Sequence, residues 1–251
     1  MKIIAALIIS TIAGFATLLG GLLSYINISE EKRNKFITFC LSFSLAIMIS
    51  LSVFELIPET FITMLKNYNV LCTNLTIISV FLIGVGVILI LNKTIAKVSK
   101  NTDNLYKLGI LNMIALMAHN LPEGIATFMS SYNDINLGIK IAIAIMLHNI
   151  PEGISIAIPI YYATKSRGKA LKLTLISSLA EPLGAILCYI FLKNYINDIS
   201  IAIILTLVAG IMITLAIHEL LPEAKKYNEE KYLTIGIISG VILMFINIFV
   251  L

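Results

Sequence analysis

One seven-residue segment, written twice, carries the chemistry that can be read in this chain. His119-Asn120-Leu121-Pro122-Glu123-Gly124-Ile125 and His148-Asn149-Ile150-Pro151-Glu152-Gly153-Ile154 differ only at their third position. On a helix, His and Glu at i and i+4 stand one above the other on the same face, about 6 Å apart along the axis. That is the spacing of a chelating pair. Imidazole with carboxylate is the donor set of Zn²⁺, Fe²⁺, Mn²⁺ and similar ions, and two such pairs on neighbouring helices supply four donors. Two of the three histidines in the chain are used here.

A third element, Ser177-Ser178-Leu179-Ala180-Glu181-Pro182-Leu183-Gly184, repeats the Glu-beside-Pro theme without His. Glu181 with Asn120, Asn149 and the remaining oxygens of Glu123 and Glu152 would make a second, oxygen-rich site beside the first. Each proline also frees a backbone carbonyl four residues earlier, at Ala118 and Leu147, and bends its helix. Gly124 and Gly153 would let the two motif backbones approach closely. The competing interpretation is a set of interhelical hydrogen bonds, or a proton relay without metal; the duplication favours the metal.

The elements that must position these groups follow from composition. The chain has 251 residues, 59% hydrophobic and 13% charged, with a mean hydropathy of +0.97, outside the range of soluble domains. Apolar runs of bilayer length give eight spans, 3–26, 36–57, 70–92, 107–130, 136–163, 169–192, 199–223 and 233–251. The loops are short, so residues 1–251 read as one transmembrane domain. The first run is too long for a signal-peptide core and reads as span 1. A carboxylate at mid-bilayer costs roughly 2.5–3.5 kcal/mol, so Glu123, Glu152 and Glu181 must face each other, water or a cation. Cys40, Cys72 and Cys188 lie singly in apolar surroundings and read as core packing. The net charge of +4 is spread over short loops, which points away from nucleic acid.

Fourteen of the 18 Lys and Arg residues follow spans 1, 3, 5 and 7. The positive-inside rule then puts both termini outside the cytoplasm. Span 2 ends Glu55-Leu56-Ile57-Pro58-Glu59 and span 7 ends Glu219-Leu220-Leu221-Pro222-Glu223. These copies fall at opposite faces, and spans 4 and 5 also run in opposite directions. Together they predict an all-α, 3+2+3 inverted-repeat bundle, spans 1–3 against 6–8 with 4 and 5 central, the plan of secondary transporters. Glu55, with Glu59, is an expected entrance for cations, and His218 with Glu219 an expected exit. Small residues in span 1 (Ala13, Gly14, Thr17, Gly20, Gly21) and span 8 (Gly236, Gly240) read as ordinary helix packing.

The paired HNxPEG segments, the span-6 SxxAEPLG and the span-7 HELLPEA ending resemble the ZIP family of divalent metal transporters, its bacterial zinc-permease branch in particular. The resemblance covers essentially the whole chain. It implies a binuclear site with His119, Glu123, His148 and Glu152 on one metal and Asn120, Glu123, Asn149, Glu152 and Glu181 on the other, the glutamates Glu123 and Glu152 bridging. It further implies a multi-pass protein of the bacterial plasma membrane, import toward the cytoplasm, a homodimer, and movement of spans 1, 4, 5 and 6 against 2, 3, 7 and 8. The metal would be the transported substrate, Zn²⁺ first and Fe²⁺, Mn²⁺ or Cd²⁺ as alternatives, with no cofactor. One departure is the loop 92–106, which lacks the histidines many members carry there.

Two other functional classes fit the residues less well. An intramembrane metalloenzyme would need His at 222 to complete HExxH after His218, and Pro222 stands there; no separate general base accompanies the span 4–5 pairs either. A metal-selective channel conflicts with a tight multidentate site, since conduction requires weak binding. No GxxxxGK[ST] occurs, so this chain has no motif for ATP-driven pumping.

Overall fold

The structure is a computed structural model that describes residues 2–22, 25, 29–99 and 105–250. Every regular element among them is helical. Seven helical segments are long and apolar enough to cross a membrane. The eighth long helix, Leu105–Asn133, is span 4, and its polar motif residues lower its apolarity. The chain is therefore an all-helical, multi-pass membrane protein.

Most helices run past the apolar stretch, because the hydrogen-bond ladder does not stop where the bilayer does. Span 1 is Lys2–Leu22; the predicted residues 23, 24 and 26, like Leu251 of span 8 and Lys100, lie outside the described residues. Span 3 is Val70–Ser99, seven residues longer than expected. Span 5, Ile135–Thr164, starts at an Asp134 cap whose side chain accepts from the backbone N–H of Asn136 and Leu137, and stops where Lys165 turns left-handed at φ 54°. Span 8 is Glu230–Val250.

Spans 2, 6 and 7 are segmented, each at a proline. Span 2 is Glu30–Leu51, a π-turn Ser52–Leu56, then Ile57–Leu65. Span 7 is Asp198–Leu215, a π-turn Ala216–Leu220, then Leu221–Lys225, capped at its start by a box between Asn197 and Ser200. Ile57 N–H bonds to the Ser52 carbonyl and Leu221 N–H to that of Ala216, both five residues back. Pro58 and Pro222 have no N–H to give and their rings crowd the carbonyl four back, so the helix widens by one residue there. The duplicated Glu-Leu-x-Pro-Glu thus folds the same way twice. In span 6, Arg167–Ser178 and Ala180–Leu187 are separated by Leu179, at ψ −9°, as expected where Pro182 cannot bond the Ser178 carbonyl. A π-turn Cys188–Leu192 and a 3₁₀ turn Lys193–Tyr195 complete the span. Spans 4 and 5 stay helical through Pro122 and Pro151.

Spans 4 and 5 pack on each other, span 1 packs on 4, 5 and 6, and span 6 on 4; span 8 lies on 2, and span 3 on 7. Two glycine contacts bring the motif helices into place. A Cβ on Gly153 would stand 1.9 Å from the Thr17 carbonyl oxygen, and one on Gly184 2.2 Å from that of Leu121. The motif glycines were expected to bring spans 4 and 5 together. Instead Gly153 meets span 1, and Gly124 meets the backbone of Glu181 in span 6. The residue after Glu lies about 100° around the helix from it, so when the glutamates face the partner motif the glycines face the flanking spans.

Most of span 2 is buried, whereas few residues of span 3 are. Its Leu71, Leu75, Ile78, Leu82 and Ile90 point outward, an arrangement suited to lipid rather than water. Cys40 and Cys188 are buried, but Cys72 is exposed. It was expected in the core; it lies in the first turn of this peripheral helix, at its end and outside the packed bundle.

Candidate metal-binding site

His119, Asn120, Glu123, His148, Asn149, Glu152 and Glu181 are all fully buried, at 0% exposure. Spans 4, 5 and 6 bring them to the middle of the bundle. The structure places the His and Glu contacts between helices, where the heptapeptide spacing had suggested pairs within each helix. His119 Nε2 lies 3.2 Å from Glu152 Oε1 and 3.3 Å from Oε2. His148 Nε2 lies 3.5 Å from Glu123 Oε2. Antiparallel packing explains the crossing: His precedes Glu in both motifs, so each His comes level with the other helix's Glu.

The electrostatics of the pairs are set by their hydrogen bonds. His148 Nδ1 is 3.1 Å from the Ala144 carbonyl oxygen, which can only accept, so Nδ1 carries the proton. In the neutral ring Nε2 then presents a lone pair to the Glu123 carboxylate. Two acceptors face each other there, and the contact is favourable only with a proton or a cation between them. Span 2 adds a support, since Ser44 Oγ donates to the His148 carbonyl at 3.2 Å.

The third pair joins Asn149 to Glu181. Asn149 Nδ2 donates both to Glu181 Oε1, in a short contact, and to the Ala13 carbonyl of span 1 at 3.1 Å. With both donors committed, Asn149 Oδ1 has no partner. Neither do Asn120 Oδ1 and Nδ2, both Glu123 oxygens as hydrogen-bond acceptors, His148 Nε2 and Glu181 Oε2. A buried polar atom left unsatisfied costs about 1–3 kcal/mol. All but one of these are acceptors, so the cluster lacks positive charge rather than hydrogen-bonding capacity in general. Among the described residues, no three His, Cys, Asp or Glu side chains already close round one point; the donors stand as three pairs.

The residues expected at an entrance and an exit are placed differently from one another. Glu55 and Glu219 occupy equivalent positions in the two π-turns and are half-buried, whereas His218 is exposed. Glu219 is within electrostatic reach of His119, and Glu55 within reach of Lys140 and Glu59. His218 is not brought to the buried cluster.

Sequence reasoning missed the contributions of span 1 and Lys140. Ala13 supplies a carbonyl, and Thr17, one turn on, has a buried hydroxyl without a hydrogen-bond partner, as has Ser177 of span 6. The signal was the small-residue stripe of span 1, which matches ordinary packing equally well. Lys140 is one of the four basic residues outside the fourteen that follow spans 1, 3, 5 and 7, and no part in the site was expected of it.

A helical, multi-pass bundle enclosing a buried, acceptor-rich His, Asn and Glu cluster defines a membrane protein built to handle cations inside the bilayer. Residues 96–248 match the model of the family described as ZIP Zinc transporter. The chain is 38% identical to a zinc transporter ZupT of Lysinibacillus sphaericus (strain C3-41), over 100% of this chain and 98% of that protein. It is 38% identical to the zinc transporter ZupT of Oceanobacillus iheyensis, over 100% and 99%, and 32% identical to that of Clostridium perfringens, over 98% and 96%. The chain belongs to the ZIP family of transporters.

Proposed function

We propose that this protein carries divalent metal ions, zinc first among them, across a bacterial plasma membrane into the cytoplasm. The observation that carries the reading is the crossed pairing, in which His148 Nε2 faces the Glu123 carboxylate at 3.5 Å amid unsatisfied buried acceptors. A divalent cation satisfies such a cluster; a neutral substrate does not. His119, Glu123, His148 and Glu152 hold one metal, and Asn120, Asn149 and Glu181 share a second with the bridging glutamates Glu123 and Glu152.

Residues 1–251 form one transporter domain with a 3+2+3 inverted repeat and both termini outside. Three features support it. The π-turns of spans 2 and 7 are alike. Contacts of span 1 with 5 and of span 6 with 4 are exchanged by the repeat, and so are those of span 8 with 2 and of span 3 with 7. The lysine and arginine distribution supports the orientation. The functional unit is a homodimer, as the family resemblance implies, in which spans 1, 4, 5 and 6 move against the rest.

Purified protein in liposomes is expected to take up Zn²⁺ down its gradient. Glu123→Ala and His148→Ala should each abolish uptake, and undiminished flux in both variants would overturn the reading.

A further inference from the structure

One cavity lies apart from the metal cluster. It has a volume of about 480 Å³, lies between the first turns of spans 2 and 8, and is lined by Lys32, Lys35, Phe36, Phe39, Tyr232 and Ile235. The two helices run parallel, because Gly236 sits against Phe39 and Gly240 against Phe43. Both therefore begin at the same membrane face, with helices starting at Glu30 and Glu230. From Lys32 to Phe39 the helix rises about 10 Å, so the lining passes from headgroup depth into hydrocarbon.

Polarity is graded along that depth. Lys32 is exposed and Lys35 half-buried, with Lys35 Nζ 6.0 Å from the centre of the Tyr232 ring. Deeper, Phe36, Phe39 and Ile235 form an apolar wall, which the stacking of Phe39 on Phe43 at 5.9 Å extends along span 2. Two amines above an aromatic groove match a phosphate above an acyl chain. A zwitterionic headgroup would bring its own ammonium up to the lysines, which favours a headgroup without one. Glu230, at the head of span 8, is exposed and does not line the cavity.

We propose that this cavity is a binding site for one anionic phospholipid, its phosphate between Lys32 and Lys35 and an acyl chain along Phe36, Phe39 and Ile235. The site is separate from the metal cluster and does not depend on its occupancy. A basic side chain near a membrane surface favours anionic lipid by about fivefold, so Lys32 alone gives a preference of about fivefold, reduced by salt.

The chain has no tryptophan, which makes the test direct. Phe36→Trp, and separately Ile235→Trp on the opposite wall, each introduce the only indole. Either protein is reconstituted in phosphatidylcholine and titrated with dibrominated phosphatidylglycerol or dibrominated phosphatidylcholine. Quenching is expected at a several-fold lower mole fraction of the glycerol lipid, and adding Lys32→Gln with Lys35→Gln should remove the difference. Ile78→Trp, on lipid-exposed span 3, should show none. Equal quenching by the two lipids at positions 36 and 235, the same preference at 78, or a preference that survives loss of both lysines would overturn the site.

Discussion

Asn149 ties the cluster together through one nitrogen, and Asn149→Asp tests that role. The substitution changes a single donor group into an oxygen with little change of shape. In the folded protein it removes the hydrogen bonds to the Ala13 carbonyl and to Glu181. One of these is to a carboxylate, so their combined loss is about 2–4 kcal/mol. It also puts a second carboxylate against Glu181 at a position with 0% exposure, where like charges are screened little. Without metal the variant should melt well below the parent in detergent, by roughly 5 °C or more at about 2–4 °C per kcal/mol. With Zn²⁺ the sign reverses, since Asp offers the ion a charged oxygen in place of a neutral one. The zinc-induced rise in melting temperature should therefore be larger in the variant, as binding to the folded state alone requires. The assay is a thermal unfolding curve of purified protein with chelator and with excess zinc. A variant as stable as the parent in chelator would refute the role given to Asn149 Nδ2, and an unchanged zinc increment would refute its neighbourhood to the metal.

Two further outcomes follow from packing and exposure. Gly153→Ala and Gly184→Ala, whose new methyl groups would meet backbone oxygens at 1.9 and 2.2 Å, should each destabilise by about 1–3 kcal/mol, whereas Gly86→Ala, with nothing within 4 Å, should be neutral or stabilising; melting temperatures separate the three. Cys72, exposed near the start of span 3, should react with a membrane-impermeant maleimide added outside intact cells, while buried Cys40 and Cys188 should not. Labelling of Cys72 only after permeabilisation would reverse the proposed orientation.

Much of this was legible in the residues because its signals are local. Span number came from apolar length, and the π-turns sit where the repeated Glu-Leu-x-Pro-Glu pointed. The seven cluster residues drew notice because their types are costly inside a bilayer. What was not legible depends on how helices face one another. The crossing of His119 with Glu152 and of His148 with Glu123 follows from antiparallel level rather than from i, i+4 spacing. The turn of Gly124 and Gly153 toward spans 6 and 1 is equally a matter of rotation about the axis. The exposure of Cys72 could not be inferred from apolar neighbours, since it follows from its place in the first turn of a peripheral helix. Ala13 contributes only a carbonyl, which every residue has.

The central claim is that the buried cluster between spans 4, 5 and 6 binds the transported metal. Anomalous scattering from crystals soaked in Zn²⁺ or Cd²⁺ tests it directly. Two peaks about 3.5–4 Å apart are expected, one within bonding distance of His119 and His148, the other of Asn120, Asn149 and Glu181, with Glu123 and Glu152 touching both. Anomalous density confined to surface carboxylates such as Glu59 and Asp198, with none between the crossed pairs, would contradict it.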